Sequence, residues 1–203
     1  VGMLYPMFCG ASIYYLQKPP VPTLLLKAIK QVRPTTILSV PLIIEKIYKG
    51  SVLPTIKGSR TLRWMDKHAN RLMCKIIGMK LKSTFGGHLT FFGVGGAKMD
   101  PEVESFLLKA GFPYAVGYGL TETSPLLAYS LNRWRCVGSI GYPVYNVKMK
   151  LADVNPETGE GEIVVKGPNV MLGYYKDPKR TKSVFTEDGW FRTNDLAVID
   201  GKG

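Results

Sequence analysis

The 203 residues suffice for one domain with a sizeable core or for two small ones, and 45% hydrophobic content with no low-complexity tract is the balance of an ordinary globular protein. A formal net charge of +12 favours anionic partners: nucleotides, coenzyme A, acidic lipid headgroups or nucleic acid. Cys9, Cys74 and Cys136 form no C-x-x-C pair and have no zinc spacing with His68 or His88, so free thiols in a reducing cytoplasm are expected.

Residues 1–16 carry no formal charge. They are shorter than the roughly 20 residues that span a bilayer, Pro6 and Gly10 interrupt them, and they lack a secretory signal's basic start and cleavage pattern. A buried strand–turn–strand piece is expected there. Leu24, Leu25, Ala28, Ile29 and Val32 then follow helical spacing, with Thr23 as the expected cap and Pro34 as the stop. Residues 36–40 read as a short strand, and Pro41 opens a helix over 42–48. A basic amphipathic helix or pair is predicted over 62–81, within a run holding Lys57, Arg60, Arg63, Lys67, Arg71, Lys75, Lys80 and Lys82. That run is read either as a solvated face or as a surface for a phosphorylated cofactor or membrane lipid.

Residues 89–94 read as a buried strand. Asp100 then suits an N-cap, Pro101 the first helical position, and Gly111 the residue after the last turn. Residues 114–116 form the next strand. This alternation predicts an α/β fold with a parallel sheet flanked by helices, in which ligands bind beyond the carboxyl ends of the strands. The character changes near residue 137. Val147, Met149 and Leu151 alternate with more polar neighbours, Asn155–Gly159 is a turn, and 162–166 is a returning strand. The expected organisation is therefore an α/β part over 1–136 and a β-rich subdomain over 137–203. The apolar start and the Asp200-Gly201 turn signal near the end suggest an internal piece of a longer protein.

Two Gly-rich stretches fall at strand ends, Gly93–Ala97 and Gly117-Tyr118-Gly119-Leu120-Thr121-Glu122-Thr123. Glycine admits a ligand close to the backbone, threonine donates to phosphate oxygens, and glutamate suits Mg²⁺, a hard cation with oxygen ligands. Two such loops converging on one ligand suggest a nucleotide site, although a turn of ordinary polar residues accounts for any one of these residues. Neither a full G-x-G-x-x-G nor a Walker loop is present.

The segment GFPYAVGYGLTETSPL, Gly111 to Leu126, resembles the adenylate-forming enzymes, the superfamily of acyl-CoA synthetases, luciferases and peptide-synthetase adenylation domains. The nearest likeness is to bacterial long-chain fatty acyl-CoA ligases. Three further stretches agree in order: Phe92–Ala97 with Asp100-Pro101-Glu102-Val103, then Gly161–Gly167 through Met171–Tyr175, then Asp188-Gly189-Trp190-Phe191-Arg192-Thr193-Asn194-Asp195-Leu196. The resemblance implies part of the large N-terminal domain of such an enzyme, working with ATP, Mg²⁺ and coenzyme A. A carboxylate attacks the α-phosphorus of ATP, and the coenzyme A thiol then displaces AMP. It further implies adenine stacking by Tyr118, a purine-edge loop at Gly95, Gly96 and Ala97, close backbone approach at Gly117 and Gly119, and a ribose contact at Asp195. Thr121 and Glu122 become the catalytic candidates, Thr121 for the α-phosphate and Glu122 for Mg²⁺.

The family usually has glycine where this chain has Asn194. Asparagine is the best non-glycine residue at positive φ, so a left-handed Asn194 is expected. Val116, Leu120 and Leu126 serve either as an acyl pocket or as core. The resemblance places a phosphate loop upstream and a lysine-bearing C-terminal domain downstream of these motifs, so the chain alone is expected to have negligible ligase activity. Implied partners are fatty acid, ATP and coenzyme A, in a cytoplasmic setting with peripheral contact at the inner membrane surface. A basic nucleic-acid-binding module is the rival from another class, but the basic residues are not interleaved with aromatics in an RNA-recognition signature.

Overall fold

Prolines and short polar side chains set most of the helix starts. The computed structural model describes residues 2–16, 21–131 and 135–201. Helix α1, Leu4–Phe8, corrects the strand–turn–strand expected near the start, and Met3, Leu4, Met7 and Phe8 on or beside it are exposed. Pro6 explains the difference, because a proline fits the first turn of a helix but removes a ladder donor from a strand. Val1 lies outside the described residues. Helix α2, Pro22–Val32, begins two residues earlier than a Thr23 cap implies: Val21 is the N-cap without a side-chain bond, and Thr23 is not the cap. A proline at the first position presets φ, so no side-chain cap is required there. Arg33, at φ +50, closes α2 by donating its N–H to Ile29 O ahead of Pro34.

Strand β1 is Thr36–Ser39 and helix α3 is Pro41–Ile47. Helix α3 runs on through a π-helical turn, Tyr48–Val52, into α4, Leu53–Gly58. The basic stretch forms a pair, α5 (Arg60–His68) and α6 (Asn70–Thr84), with Ser59 Oγ accepting from Leu62 N at 3.3 Å. Strand β2, Phe91–Gly95, lies parallel to β1 in the register Thr36↔Phe91. Helix α7, Pro101–Ala110, is capped as predicted: Asp100 Oδ1 accepts from Glu102 N at 2.9 Å, and Gly111 is left-handed at φ +66. Strand β3 is Tyr114–Gly119 and β4 is Leu126–Ser130. Then come β5 (Tyr142–Pro143), β6 (Lys148–Ala152), β7 (Gly161–Lys166), α8 (Pro178–Ser183) and β8 (Phe191–Ala197). The chain is mixed α/β, with parallel strands among helices and a β-rich part. Among the described residues no helix is long and apolar enough to cross a membrane.

Two compact units emerge, Val1–Ala115 with Arg135–Gly138, and Val116–Trp134 with Ser139–Gly203. One crossing between the units comes at 138/139, and residues 116–131 fall with the second unit. Leu127 on β4 packs with Val147, Ile163, Val165 and Phe191, which ties the β3–β4 hairpin to the β-rich part.

In the first unit, Phe85, Phe92 and Phe112 meet edge to face with centroids 5.5–5.7 Å apart, an arrangement ring quadrupoles favour. Glu104 is 2% exposed, yet its oxygens accept from Gly138 N at 2.8 Å and Tyr114 OH at 3.4 Å. The Arg135 guanidinium stands 4.9 Å from the Tyr114 ring centroid and donates to Phe112 O. Burial raises the Glu104 carboxyl above the ordinary carboxylate range, against the pull of its two donors. In the second unit, β6–β7–β8 form an antiparallel sheet in that order.

Two predictions concern stability. The folded chain keeps the Glu104 proton at a pH where the unfolded chain has lost it. This group therefore stabilises fully below the unfolded carboxylate pKa, and that contribution is lost as pH rises through the raised folded value. Urea unfolding of wild type and Glu104→Gln from acid to neutral pH should show the difference, wild type minus variant, falling with pH; a flat difference contradicts the assignment. Separately, a Cβ at Gly119 would overlap the carbonyl oxygen of Pro125. Gly119→Ala is expected to cost about 1–3 kcal/mol, read as a lowered thermal midpoint.

Candidate functional site

The second half of β3 pairs antiparallel with β4, Val116↔Ser130 to Tyr118↔Ala128, and the register slips between Tyr118 and Gly119. At that slip Gly119 admits the Pro125 carbonyl, so its missing side chain serves the hairpin itself. A 3₁₀ turn, Thr121–Thr123, follows, and Ser124 turns left-handed at φ +57. Thr123 is the buried member. Its Oγ1 accepts from Leu120 N at 3.0 Å and donates to Pro125 O at 2.8 Å. Asn169 Nδ2 donates to Thr123 O (2.8 Å) and Leu126 O (2.9 Å), which pins the turn from a second loop. Thr121 is left exposed on the outside of the turn.

Tyr118 and Asp195, 77 residues apart, are brought together: the phenol donates to Asp195 Oδ2 at 2.7 Å. Burial, then the Asp195 bond and charge, pushes the Tyr118 phenol far above its ordinary range, so it stays a proton donor. With Oδ2 so engaged, Oδ1 is the Asp195 oxygen that faces no tyrosine.

Asp195 reaches this position through a bulge in β8. Glu162 pairs with Leu196 and Val164 with Arg192, so three residues of β8 stand opposite Ile163 alone. Asn194 takes the left-handed conformation there, at φ +59, as expected for the position. Its N–H donates to Glu162 Oε1 at 3.0 Å, while Thr193 Oγ1 donates to Ile163 O at 2.8 Å and accepts from Asp195 N at 3.2 Å. Arg192 holds the other Glu162 oxygen through Nε at 2.8 Å and also pairs with Asp153.

Glu122 is half-buried. Its Oε1 accepts from Tyr174 OH at 3.0 Å, its carbonyl accepts from Met171 N at 2.7 Å, and Arg180 lies 4.1 Å from the Tyr174 ring centroid. Among the described residues no group of three His, Cys, Asp or Glu side chains is placed to hold a metal ion. Mg²⁺, however, is commonly held by one or two carboxylates together with substrate phosphates, and a lone tethered glutamate fits that mode.

Gly117 lies in β3 opposite Tyr129. Gly95 ends β2, Gly96 follows at φ +85 with open space beside it, and Ala97 is exposed; all three belong to the first unit. Leu120 packs against the core cluster, which is the core reading of that residue. Glu162, Thr193 and Tyr174 stand within the sequence motifs, and their partners emerge only in the fold. The signal available for Glu162 was a carboxylate opening a returning strand, which alternation places beside the neighbouring strand's bulge. Nothing local marks Tyr174 or Asn169.

The signature described as AMP-binding enzyme matches residues 1–175. The long-chain-fatty-acid–CoA ligase 2 of Schizosaccharomyces pombe is 32% identical over 191 residues, covering 82% of this chain and 28% of that protein. The ATP-bound crystal structure of MatB from Rhodopseudomonas palustris superposes with a TM-score of 0.71 at 28% identity, over 98% of this chain and 34% of that one. A malonyl-CoA ligase ternary product complex with methylmalonyl-CoA and AMP bound gives a TM-score of 0.70 at 25% identity, over all of this chain and 39% of that one. The chain spans less than a third of the length of the curated relatives it matches. On the strength of a match that runs through 175 of its residues, this chain belongs to the AMP-binding enzyme family.

Proposed function

We propose that the chain forms part of the nucleotide site of an ATP-dependent ligase that joins a long-chain fatty acid to coenzyme A through an acyl-adenylate. The observation that carries this reading is the 2.7 Å bond from Tyr118 to Asp195, which sets an aromatic face and a carboxylate side by side. The ring is suited to stack on adenine, a contact of about 1–3 kcal/mol in nucleic-acid systems. Asp195 Oδ1 is suited to accept from a ribose hydroxyl. The exposed Thr121 hydroxyl supplies a donor for the α-phosphate, and Glu122 the carboxylate for Mg²⁺. Mg²⁺ held there offsets the negative charge of the phosphates. In the proposed reaction the acid's carboxylate oxygen bonds to the α-phosphorus as pyrophosphate leaves. The thiol sulfur then bonds to the acyl carbon as AMP leaves.

The preference for a long-chain acid rests on what the yeast relative is named for. The likeness to a malonyl-CoA ligase favours a short acid as the second reading. Thioester formation by the whole protein carrying this chain, assayed across acids from malonate to palmitate, separates the two; the proposal expects the highest kcat/KM with the long chains.

Nucleotide contact is tested on the chain itself by titration with AMP. Asp195→Ala should weaken binding by about tenfold or more, the scale of a hydrogen bond to a charged group. Equal affinity for wild type and variant would remove Asp195 from the site. The bulge gives a sharper check. Asn194→Gly should preserve AMP affinity. Asn194→Val should lower both affinity and thermal midpoint, because a β-branched residue at φ +59 is strained by about 1–2 kcal/mol.

A further inference from the structure

The basic charge is concentrated in one stretch. Residues 46–99 hold eleven lysines and arginines and one acidic residue, Asp66. Helix α6 turns Met73, Cys74, Ile77, Gly78 and Leu81 inward. Its opposite face carries Leu72, Ile76 and Met79, at 55%, 43% and 66% exposure, along a single helical stripe. Arg71, Lys75 and Lys80 are exposed on the same face, which holds no acidic residue. Among the described residues no ion pair engages these three cations. Helix α5 packs on α6 and adds exposed Arg60, Arg63 and Lys67 with Trp64, which is 60% exposed and stacked on His68 at 5.0 Å.

A helix that only faces water has a polar outer face. Here the outer face is apolar and cationic together, the composition that lies in a membrane interface with its apolar stripe at the acyl boundary and its cations at the headgroups. The geometry points to the outer face of α6 as a docking surface for an anionic lipid membrane. Charge complementarity selects this occupant. A second copy would bring three cations against three cations. A nucleic acid would satisfy the charge but leave Leu72, Ile76 and Met79 without a partner. The assignment is independent of the proposed ligase reaction and concerns the first unit alone.

The test is co-sedimentation of the chain with phosphatidylcholine vesicles, with and without phosphatidylserine. Binding is expected only with phosphatidylserine, and salt should weaken it. Each cation near an anionic surface contributes about fivefold in affinity, so Lys75→Glu with Lys80→Glu should lower it by about tenfold or more. Leu72→Ser, Ile76→Ser and Met79→Ser together should lower it comparably. Matched circular dichroism melting curves establish that the variants fold, and Met79→Gln alone replaces the triple variant if that one does not. The proposal is overturned if wild type shows no phosphatidylserine-dependent binding. It is equally overturned if the charge variant loses binding while the apolar variant keeps it, since that is adsorption by charge, or if duplex DNA displaces the chain from vesicles while the apolar variant binds the duplex unchanged.

Discussion

The hydrogen bond from Tyr118 to Asp195 is the constraint on which the candidate site depends. Neither partner is placed by its immediate neighbours alone. Tyr118 sits where the β3–β4 register slips, and Asp195 follows a bulge in β8. A phenol that burial holds protonated is a dependable donor, and a carboxylate is the strongest acceptor a side chain offers it. The bond therefore fixes the ring's tilt and one carboxylate oxygen together, with the ring also packed against the core cluster around Leu127.

Around that bond lies a supporting layer of paired polar groups. Glu162 receives Asn194 N–H on one oxygen and Arg192 on the other, so the bulge is held by an ion-paired carboxylate. Thr123 and Asn169 play the same part for the turn carrying Thr121 and Glu122, converting backbone groups that a loop would leave to water into internal hydrogen bonds. Preorganisation of this kind lets a loop present side chains at a fixed position without large cost on ligand binding.

Local chemistry was legible from the residues. Asp100 with Pro101, Gly111 after α7, and the alternation through β6 each fix a short-range geometry, and each element forms where those signals stand. The left-handed Asn194 was likewise readable, because only a few residue types tolerate that conformation. Absence of charge misled at residues 4–8, since it permits burial without supplying anything that buries the segment. Thr23 misled because two start signals compete at α2 and the proline, one residue earlier, wins. The pairing of Tyr174 with Glu122 crosses 52 residues and depends on the path of a loop, which no periodicity encodes.

Asn194 carries one more consequence. A glycine at the bulge would sample nearly the whole of φ/ψ space in the unfolded chain and surrender that freedom on folding. Asparagine begins from a narrower denatured ensemble, so ordering the bulge removes less entropy, against a modest left-handed penalty. The position just ahead of the Asp195 carboxylate is thus stiffened before the chain has folded.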